Sequence, residues 1–405
     1  MNTPAEQTKA PSGPLQGIRI LDVGSMIAAP LAAGILADQG AEVIKVEAPG
    51  IGDLTRYVGA TCNGVSAIFQ GVNRGKRSIA IDLKSESGVG ILHRIIQEAD
   101  VIIHNFRPGV AERLQADYAT LSAINPELIY LSVSGFGHEG PMSQKAAYDN
   151  VVQAFAGVAM SQLNAHDGEP AQYKQLFVDK LTATMASQAI TAALLARERG
   201  AGGQQVKLSM ADAVTSFMWL DTSGTATFKS DQASPGMQIS KDSRLIKFKN
   251  GYAQAAPVSD GDFHGWCAAF GVNSSDPRLT TVMDRLAHPE LVTDASRQIF
   301  ERALELDVDE TLAKLDAADV PCARANALHE LPDDPQMQAN KLFVECEHPT
   351  AGPIVEPRNP VNFSKTPSGC GFPSVALGAN TDEILLELGF SSDDIQGMRD
   401  SGAVM

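Results

Sequence analysis

Apolar runs and helix-like stretches alternate along the first part of the chain. The segment IRILDVG, residues 18–24, is a short apolar run that ends in glycine, and PLAAGILADQG follows with Pro30 at its start and Gly40 at its end. Proline suits the first turn of a helix and glycine suits its end, so this second segment predicts a helix. The apolar run AEVIKVEAP predicts another strand. Together the three segments predict a βαβ unit with parallel strands.

The same alternation continues to about residue 150. Strands are predicted for RSIAIDL, DVIIHNF and ELIYLSVSGFG, and helices for SGVGILHRIIQEA and GVAERLQADYATLSAI. This spacing predicts a doubly wound α/β domain from residue 15 to about 150. Residues 181–220 are predicted to be helical in two stretches, which GAGGQQ separates.

The pattern changes beyond Ser223. Two short strand candidates, RLIKFKN and YAQAAPV, precede helix-like segments that continue to about residue 328. These elements indicate a smaller second domain. From about residue 331 the chain is rich in proline and glycine, and few regular elements are predicted before TDEILLELGF.

Composition narrows the class of protein. The chain has 405 residues, 44% of them hydrophobic, which is too long for one core and favours two domains. Its 32 basic and 48 acidic residues give a net charge of −16, which argues against a nucleic-acid partner. The five cysteines are widely spaced and indicate neither a zinc site nor a disulfide framework, so we expect reduced thiols and a cytoplasmic protein. No apolar run is long enough to predict a membrane span, and residues 1–14 indicate a disordered lead-in.

The turn of the first βαβ unit bears on nucleotide binding. Residues 24–30 read GSMIAAP and lack the second and third glycines of a dinucleotide-binding turn. Glu47 ends the second predicted strand, where it either binds a ribose or simply closes the strand. The missing glycines disfavour a nicotinamide cofactor, and the absence of a P-loop pattern disfavours nucleoside triphosphates.

Basic residues gather locally in this acidic chain. They are Arg74, Lys76, Arg77, Lys84, Arg107 and Arg113. Such a group either binds the phosphates of a ligand or forms charged, solvated loops. The histidines are scattered: His104 lies in an apolar strand and is expected in the core, and His138 lines a pocket or an exposed loop. Neither metal chemistry nor serine hydrolysis is indicated.

Asp179 stands before a long run of small and apolar residues, 181–196. An aspartate there either caps the helix by accepting backbone N–H bonds or serves as a nucleophile whose anion the helix N-terminus favours. The residues alone leave both interpretations open.

Several segments, in order along almost the whole chain, resemble the class III coenzyme A transferase family. This CaiB/BaiF-type group includes formyl-CoA transferase and α-methylacyl-CoA racemase. The segments are PLQGIRILDVGSMIAAPLAAGILADQGAEVIKVEAP, NRGKRSIAIDLK, ADVIIHNFRPGVAERL, INPELIYLSVSGFGHEGP, YDNVVQAFAG, VDKLTATMASQAITAALLARERGAGGQQVKLSM and VPCARANALHELPDDPQMQAN.

The resemblance implies an acyl-CoA:carboxylate CoA-transferase with Asp179 as its nucleophile. Asp179 would carry the reaction through an aspartyl anhydride and an aspartyl-CoA thioester. The matching positions imply that coenzyme A contacts Ile27, Ala28, Ile81, Lys84, Asn105, Phe106, Arg107, Arg113 and Tyr148. The implied substrates are an acyl-CoA donor and a carboxylate acceptor, with no permanently bound cofactor and no metal.

The resemblance also implies an architecture. It predicts an interlocked homodimer in which each chain has a Rossmann-like large domain, residues 15–200 and 331–405, a linker helix over 201–224 and a small α+β domain over 225–330. In formyl-CoA transferase a glycine-rich loop guards the site. It has no obvious counterpart in this chain, where PVSDGDFHG, residues 257–265, stands near its expected place.

Three alternatives remain beside the transferase. The racemase branch of the family has a histidine where this chain has Tyr148, and a tyrosine with an ordinary pKa of about 10 is a poor general base at neutral pH. That departure disfavours an acyl-CoA racemase or epimerase without removing it. A nicotinamide-dependent oxidoreductase and a CoA-binding protein without turnover are the rivals from other classes.

Overall fold

The computed structural model of the chain describes residues 12–163, 168–234, 244–369 and 373–405. Most of the expected lead-in, residues 1–11, lies outside the described residues, as does Cys370. Ser12 is already held, because its carbonyl oxygen accepts a hydrogen bond of 3.1 Å from the backbone N–H of Gly369.

The described residues form the following elements. The strands are β1 (Arg19–Asp22), β2 (Glu42–Glu47), β3 (Thr61–Cys62), β4 (Val65–Ser66), β5 (Lys76–Ala80), β6 (Val101–His104), β7 (Ile129–Ser134), β8 (Gln204–Ser209), β9 (Ile246–Phe248), β10 (Gly251–Ala255), β11 (Cys322–Arg324), β12 (Phe343–His348) and β13 (Gly352–Pro357). The helices are α1 (Ala28–Asp38), α2 (Ala67–Asn73), α3 (Glu86–Ile96), α4 (Val110–Arg113), α5 (Tyr118–Ile124), α6 (Asp149–Phe155), α7 (Val158–Ser161), α8 (Phe177–Ala196), α9 (Met210–Thr222), α10 (Asp260–Ala269), α11 (Val282–Ala287), α12 (Pro289–Ala303), α13 (Val308–Ala317), α14 (Pro335–Ala339), α15 (Thr381–Glu387) and α16 (Ser392–Asp400). Single 3₁₀ turns cover Leu54–Tyr57, Gly224–Thr227, Pro277–Leu279 and Leu328–Asp333, and a π-helical turn, Arg197–Ala201, follows α8.

The chain divides into two units. The larger one extends to Ser223 and takes in Asn340–Met405, and the smaller one is Gly224–Ala339. Residues 201–224, expected as a linker helix, instead supply β8 and α9, and β8 is part of the main sheet of the larger unit.

The main sheet of the larger unit is parallel, in the order β5-β2-β1-β6-β7-β8. Counted along the chain within this sheet, the order is 3-2-1-4-5-6, which is that of doubly wound dinucleotide-binding sheets. The expected α/β fold with a large parallel sheet is therefore confirmed, including the first βαβ unit of β1, α1 and β2. The strand order reverses between β1 and β6, and ligands of such folds bind beyond the carboxyl ends of the strands at that point.

Apolar side chains cover both faces of this sheet. Ile20 of β1 points into a core shared with α1, α8 and α9, and its neighbour Leu21 points into the opposite core with α3, α5, α15 and α16. Successive residues of a strand face opposite sides, so a strand buried on both faces appears in the sequence as a continuous apolar run. This is why the central strands could be predicted from the sequence.

Three predicted segments differ from the structure. The helix predicted over residues 109–124 is two short helices, α4 and α5, because Gln115 takes a left-handed conformation (φ 50°) and Asp117 caps α5 anew. The second half of the helical region 181–220 begins with the strand β8. The region beyond 331 contains an antiparallel hairpin of β12 and β13 that was not predicted.

The smaller unit has its own core. Its antiparallel sheet, in the order β11-β10-β9, includes the two predicted strands of this region, and apolar residues of α10, α12 and α13 pack against it. The segment 257–265, expected near the position of a covering loop, contains the capped start of α10, where Ser259 and Asp262 form a capping box.

Candidate active site

A cavity of about 800 Å³ lies in the larger unit beyond the carboxyl ends of β1 and β6. Its walls include the loop after β1, the loop after β6, the start of α6 and the start of α8. It therefore occupies the reversal point of the sheet, where the fold places ligands.

The loop after β1 forms one wall and is held by side chains from elsewhere. Asn105 accepts from the backbone N–H of Ser25 (2.9 Å) and donates to the carbonyl oxygen of Ser25 (2.8 Å), which ties this loop to the loop after β6. Met26 has a left-handed backbone conformation (φ 65°), and its N–H donates to both carboxylate oxygens of Asp53 at 3.3 and 3.2 Å. A buried carboxylate thus holds a turn that contains no glycine at the strained position.

Asp53 belongs to a buried group of charges beneath this wall. Lys45 Nζ lies 3.0 Å from Asp53 Oδ2 and 3.7 Å from Asp22 Oδ2, and Lys76 Nζ lies 2.8 Å from the same oxygen of Asp22. Burial works against the charged form of each carboxyl and amine, but Lys45 and Thr55 outweigh it and hold the pKa of Asp53 below its ordinary value. Burial lowers the pKa of Lys76 to about 8.

Asp179 is the third residue of α8, and it is not the helix cap. The capping position is Leu176, whose side chain accepts no hydrogen bond. Among the described residues, no donor contacts the carboxylate oxygens of Asp179, although this residue lines the cavity. The capping interpretation is therefore wrong.

The surroundings of Asp179 favour the protonated form of its carboxyl group. Burial, followed by the negative charge of Asp149, raises the pKa of Asp179 to about 7. The backbone N–H of Asp179 donates to Asp149 Oδ2 at 2.9 Å. Asp149 is the first residue of α6 and is 4% exposed, so two carboxyl groups meet where two helices begin.

Gln153 connects this pair to the segment before α8. Its side-chain amide donates to Asp149 Oδ1 (2.5 Å) and to the carbonyl oxygen of Gln175 (3.2 Å), and its side-chain oxygen accepts from the N–H of Tyr173 (2.8 Å). Gln153 is 1% exposed. Residues 173–175, which line the cavity, are thereby fixed to α6.

Seven of the ten residues expected at the site line the cavity: Ile27, Ala28, Asn105, Phe106, Arg107, Tyr148 and Asp179. Three do not. Ile81 is 1% exposed, and its N–H donates to the carbonyl oxygen of Glu47. Lys84 and Arg113 have exposed side chains outside the cavity lining, although both follow strands whose carboxyl ends face this side of the sheet.

The basic residues 74–77 are engaged inside the protein. Arg74 pairs with Asp38 (2.6 Å), Lys76 with Asp22 (2.8 Å), and Arg77 with Glu42 (2.8 Å). The hypothesis that basic residues bind ligand phosphates is therefore wrong for Arg74, Lys76 and Arg77.

Glu47 closes β2, as one of the two interpretations has it. Its carboxylate accepts from Arg56 (2.7 and 2.9 Å), from the hydroxyl of Ser78 (2.9 Å) and from the N–H of Asp53 (2.9 Å). With these donors bound, Glu47 is not available to a ribose.

His104 and His138, the two histidines considered in the sequence analysis, lie near one another beside β7. His104 is 4% exposed, as expected for a core residue, and burial together with His138 lowers the pKa of His104 to about 3. His138 lies 2.9 Å from the hydroxyl of Ser132, and burial and Lys207 lower the pKa of His138.

Several residues of the cavity were missed in the sequence. They are Asp149, Gln153, Tyr173 and two basic residues, Lys145 and Lys174. Asp149 and Gln153 are four positions apart on α6, but their link to residues 173–179 crosses some 20 to 30 positions of chain. Within the described ranges, no cluster of histidine, cysteine, aspartate or glutamate could hold a metal ion, and no helix has the length and apolar character to cross a membrane.

Comparison with known proteins identifies the class. The sequence model of CoA-transferase family III matches residues 15–381, and the chain belongs to this family. It is an enzyme of the family III CoA-transferase class, which confirms the resemblance seen in the sequence.

Individual relatives cover nearly the whole chain. A succinate–glutarate CoA-transferase of Agrobacterium fabrum is 33% identical over 390 residues, covering 93% of this chain and 96% of that protein. A formyl-CoA:oxalate CoA-transferase of Escherichia coli is 32% identical over 422 aligned positions, covering 97% and 100%. The crystal structure of a CaiB/BaiF family protein from Brucella suis is 30% identical and superposes with a TM-score of 0.81 over 93% of this chain and 100% of that one.

Proposed function

We propose that this enzyme transfers coenzyme A from an acyl-CoA thioester to a carboxylic acid through covalent intermediates on Asp179. One observation carries the proposal: the carboxyl group of Asp179 faces a cavity of about 800 Å³ and accepts no hydrogen bond from the described residues. A carboxylate without donors on its oxygens keeps its lone pairs free for attack on a carbonyl carbon.

The first half of the reaction forms and then rearranges an anhydride. An oxygen of Asp179 attacks the thioester carbonyl carbon, the C–S bond breaks, and coenzyme A leaves as a thiolate. The thiolate then attacks the side-chain carbonyl carbon of Asp179 within the mixed anhydride. This attack breaks the anhydride C–O bond, releases the donor acid as a carboxylate and leaves an aspartyl-CoA thioester.

The second half runs the same steps in reverse order with the acceptor acid. The acceptor carboxylate attacks the aspartyl-CoA carbonyl carbon and expels the thiolate, which gives a second anhydride. The thiolate then attacks the acceptor carbonyl carbon, so the new acyl-CoA forms and Asp179 is a carboxylate again. Anhydrides are hydrolysed easily, and apolar side chains on the cavity wall, among them Ile27, Val133 and Met210, support a site with little water.

The residues on the cavity wall support separate roles for apolar and basic side chains in binding coenzyme A. Ile27, Ala28 and Phe106 offer apolar surface for pantetheine, and Arg107 offers charge for the diphosphate. We assign Lys84 and Arg113, both exposed beyond the cavity, to the 3′-phosphate at the adenosine end. The side chain of Ile81 is buried and would support the cavity wall by packing rather than by touching coenzyme A.

The deciding experiment is a search for a covalent adduct. The enzyme is incubated with a panel of acyl-CoA thioesters, digested at low pH, and the peptide that carries Asp179 is examined by mass spectrometry. We expect an acyl or CoA adduct on Asp179 that hydroxylamine removes, and none in Asp179→Asn. Asp393→Asn, the same change at an exposed helix start distant in sequence, is the control and retains the adduct. Turnover by Asp179→Asn would contradict the proposal.

A racemase or epimerase is the second candidate, because a carboxyl group with a pKa near 7 is also suited to carry a proton. It would exchange the α-proton of an acyl-CoA. Incubation in deuterated water distinguishes the two. Deuterium at the α-carbon without transfer of CoA to any added acid would favour this candidate.

We further propose that two copies of the chain associate. Three large apolar residues of α9, Phe217, Trp219 and Leu220, are 51%, 48% and 90% exposed. Such residues on a single helix are typical of surfaces that another subunit covers. Light scattering over a range of concentrations should give twice the 42.9 kDa of one chain, and a single-chain mass would contradict the dimer.

A further inference from the structure

We propose that Asp149 is a positioning residue for Asp179, fixing the first turn of α8 by accepting its N–H and placing a negative charge beside the nucleophile. This inference rests on the proposed role of Asp179 as the attacking group. It adds a residue from another helix whose function is to hold and tune that carboxylate.

The start of α8 needs an acceptor that its own sequence does not supply. The first N–H groups of a helix have no partner within the helix, and a side chain at the capping position usually accepts one of them. Here that position is Leu176, which cannot accept a hydrogen bond. Asp149 Oδ2 takes its place at 2.9 Å from the N–H of Asp179 itself. The contact therefore acts on the backbone of the reacting residue.

Asp149 is itself held on its other side. Gln153 donates to Asp149 Oδ1, and Gln153 is bonded as well to residues 173 and 175. Both residues are almost fully buried. With each oxygen engaged, the carboxylate of Asp149 cannot rotate away, and α6, the segment before α8 and the first turn of α8 are fixed as one wall of the cavity.

The negative charge of Asp149 opposes ionisation of Asp179 and also makes its carboxylate more basic. The negative charge of Asp149 beside a partly buried carboxyl group that accepts no hydrogen bond from the described residues favours the protonated form of Asp179. Asp149 has two donors and Asp179 has none on its oxygens. A more basic carboxylate is a stronger nucleophile once it is ionised. The charge of Asp149 therefore leaves less of Asp179 ionised at low pH but makes the ionised form more reactive at higher pH.

Other charged groups on the packed elements are arranged differently. α8 packs against α1, α6, α9, β7, β8 and the π-helical turn that follows it. The charged or titratable groups on these elements, on α8 itself and in the cavity wall are Asp38, Tyr130, Asp149, Lys180, Arg197, Glu198, Arg199, Lys207, Asp212, Asp221, Arg107, Lys145, Lys174, Tyr148 and Tyr173. Asp38 is paired with Arg74, and Lys180 donates to Gln175. Only Asp149, among the described residues, combines a bond to the Asp179 backbone with a charge that acts on its carboxyl group.

The test measures the titration of Asp179 directly. Enzyme labelled with carbon-13 in the aspartate carboxyl groups is titrated by NMR, and Asp179→Asn identifies the signal. We expect a midpoint near pH 7 in the unaltered enzyme. Asp149→Asn retains an acceptor oxygen and loses the charge, which is the smaller of the two causes after burial, so the midpoint should fall by about one pH unit. Asp149→Ser, which retains a small acceptor, should lower it similarly, and Asp393→Asn should leave it unchanged.

Kinetics of adduct formation provide the second measurement. At pH 9, where Asp179 is ionised in every form, Asp149→Asn should acylate about three- to tenfold more slowly, because its carboxylate is less basic. Two results would overturn the proposal. One is an Asp179 midpoint near pH 4 in the unaltered enzyme, and the other is a midpoint in Asp149→Asn and Asp149→Ser that equals that of the unaltered enzyme. Should Asp179 form no adduct while its midpoint still responds to Asp149, the proposed transferase mechanism fails and the coupling between the two residues stands.

Discussion

Lys45 Nζ lies 3.0 Å from Asp53 Oδ2, and both side chains are 1% exposed. The same carboxylate accepts the backbone N–H of Met26 in the cavity wall. A buried ion pair and the shape of the ligand-facing loop therefore depend on one side chain. Removal of one member of such a pair leaves an uncompensated charge in the interior.

Asp53→Ala should accordingly lower the free energy of unfolding by about 3–5 kcal/mol. Where the variant is kept folded at low temperature, coenzyme A should bind more weakly, because Met26 loses the acceptor that holds its strained conformation. Urea unfolding and calorimetric titration with coenzyme A measure the two effects. Asp393→Ala, at an exposed position, is the matched control. Unchanged stability of Asp53→Ala would show that the buried charges contribute little.

Asp179→Asn should make the protein more stable at alkaline pH. The folded-state pKa of Asp179, about 7, is above the ordinary value of 3.8, so between these values the folded state binds the additional proton and the unfolding free energy falls as pH rises. The penalty is complete above pH 7 and absent below about pH 4. At pH 8 the variant should gain on the order of 1–3 kcal/mol, after allowance for relaxation around the charge.

Urea unfolding of both proteins at pH 4, 6 and 8 measures this difference. The two stabilities should converge at pH 4 and separate by pH 8, whereas Asp393→Asn should follow the unaltered enzyme throughout. A variant that is less stable than the enzyme at pH 8 would mean that the Asp179 carboxylate is stabilised by contacts absent from a single chain.

Formation of the adduct should depend on pH with a midpoint near 7. Below that pH the carboxyl group of Asp179 is protonated and cannot attack, so the second-order rate constant should fall about tenfold per pH unit. Above it the rate should reach a plateau. Stopped reactions with a slowly reacting acyl-CoA, analysed by mass spectrometry, give this profile for the free enzyme. A rate that is flat from pH 5 to 9 would contradict it.

Coenzyme A and its analogue without the 3′-phosphate should separate the basic residues into two classes. Arg107→Ala should weaken both ligands about tenfold or more, since Arg107 lines the cavity and is assigned to the diphosphate. Lys84→Ala and Arg113→Ala should weaken coenzyme A about three- to tenfold at low salt and leave the analogue almost unaffected. Calorimetric titration of the three variants tests this. An equal loss for both ligands in Lys84→Ala or Arg113→Ala would refute the 3′-phosphate assignment.

The central strands were predictable because burial on both faces makes them apolar throughout, as in β6 and β7. β8 was missed because it lies at the sheet edge, and its residues Gln204 to Ser209 alternate between more and less exposed positions with polar side chains. The hairpin of β12 and β13 was missed for the same reason, since it alternates in exposure and carries glutamates and prolines.

Charge partners were not predictable from local sequence. Arg74 and Lys76 form a basic cluster in the sequence, but their partners Asp38 and Asp22 stand 36 and 54 positions earlier. Asp179 was singled out through its place before a long apolar helix and through the family resemblance. Asp149 was not, because the contact that gives it a role joins two helix starts that are 30 positions apart.

The sheet of the larger unit is completed by the last residues of the chain. Ile384, Leu385, Leu388 and Ile395 fill one of its two cores, and Val404 pairs with Ile81 as an isolated bridge. A ribosome delivers these residues only after the whole smaller unit has been made. During synthesis one face of the nascent sheet therefore remains open to water, and the length of the inserted unit sets how long this apolar surface is exposed to aggregation.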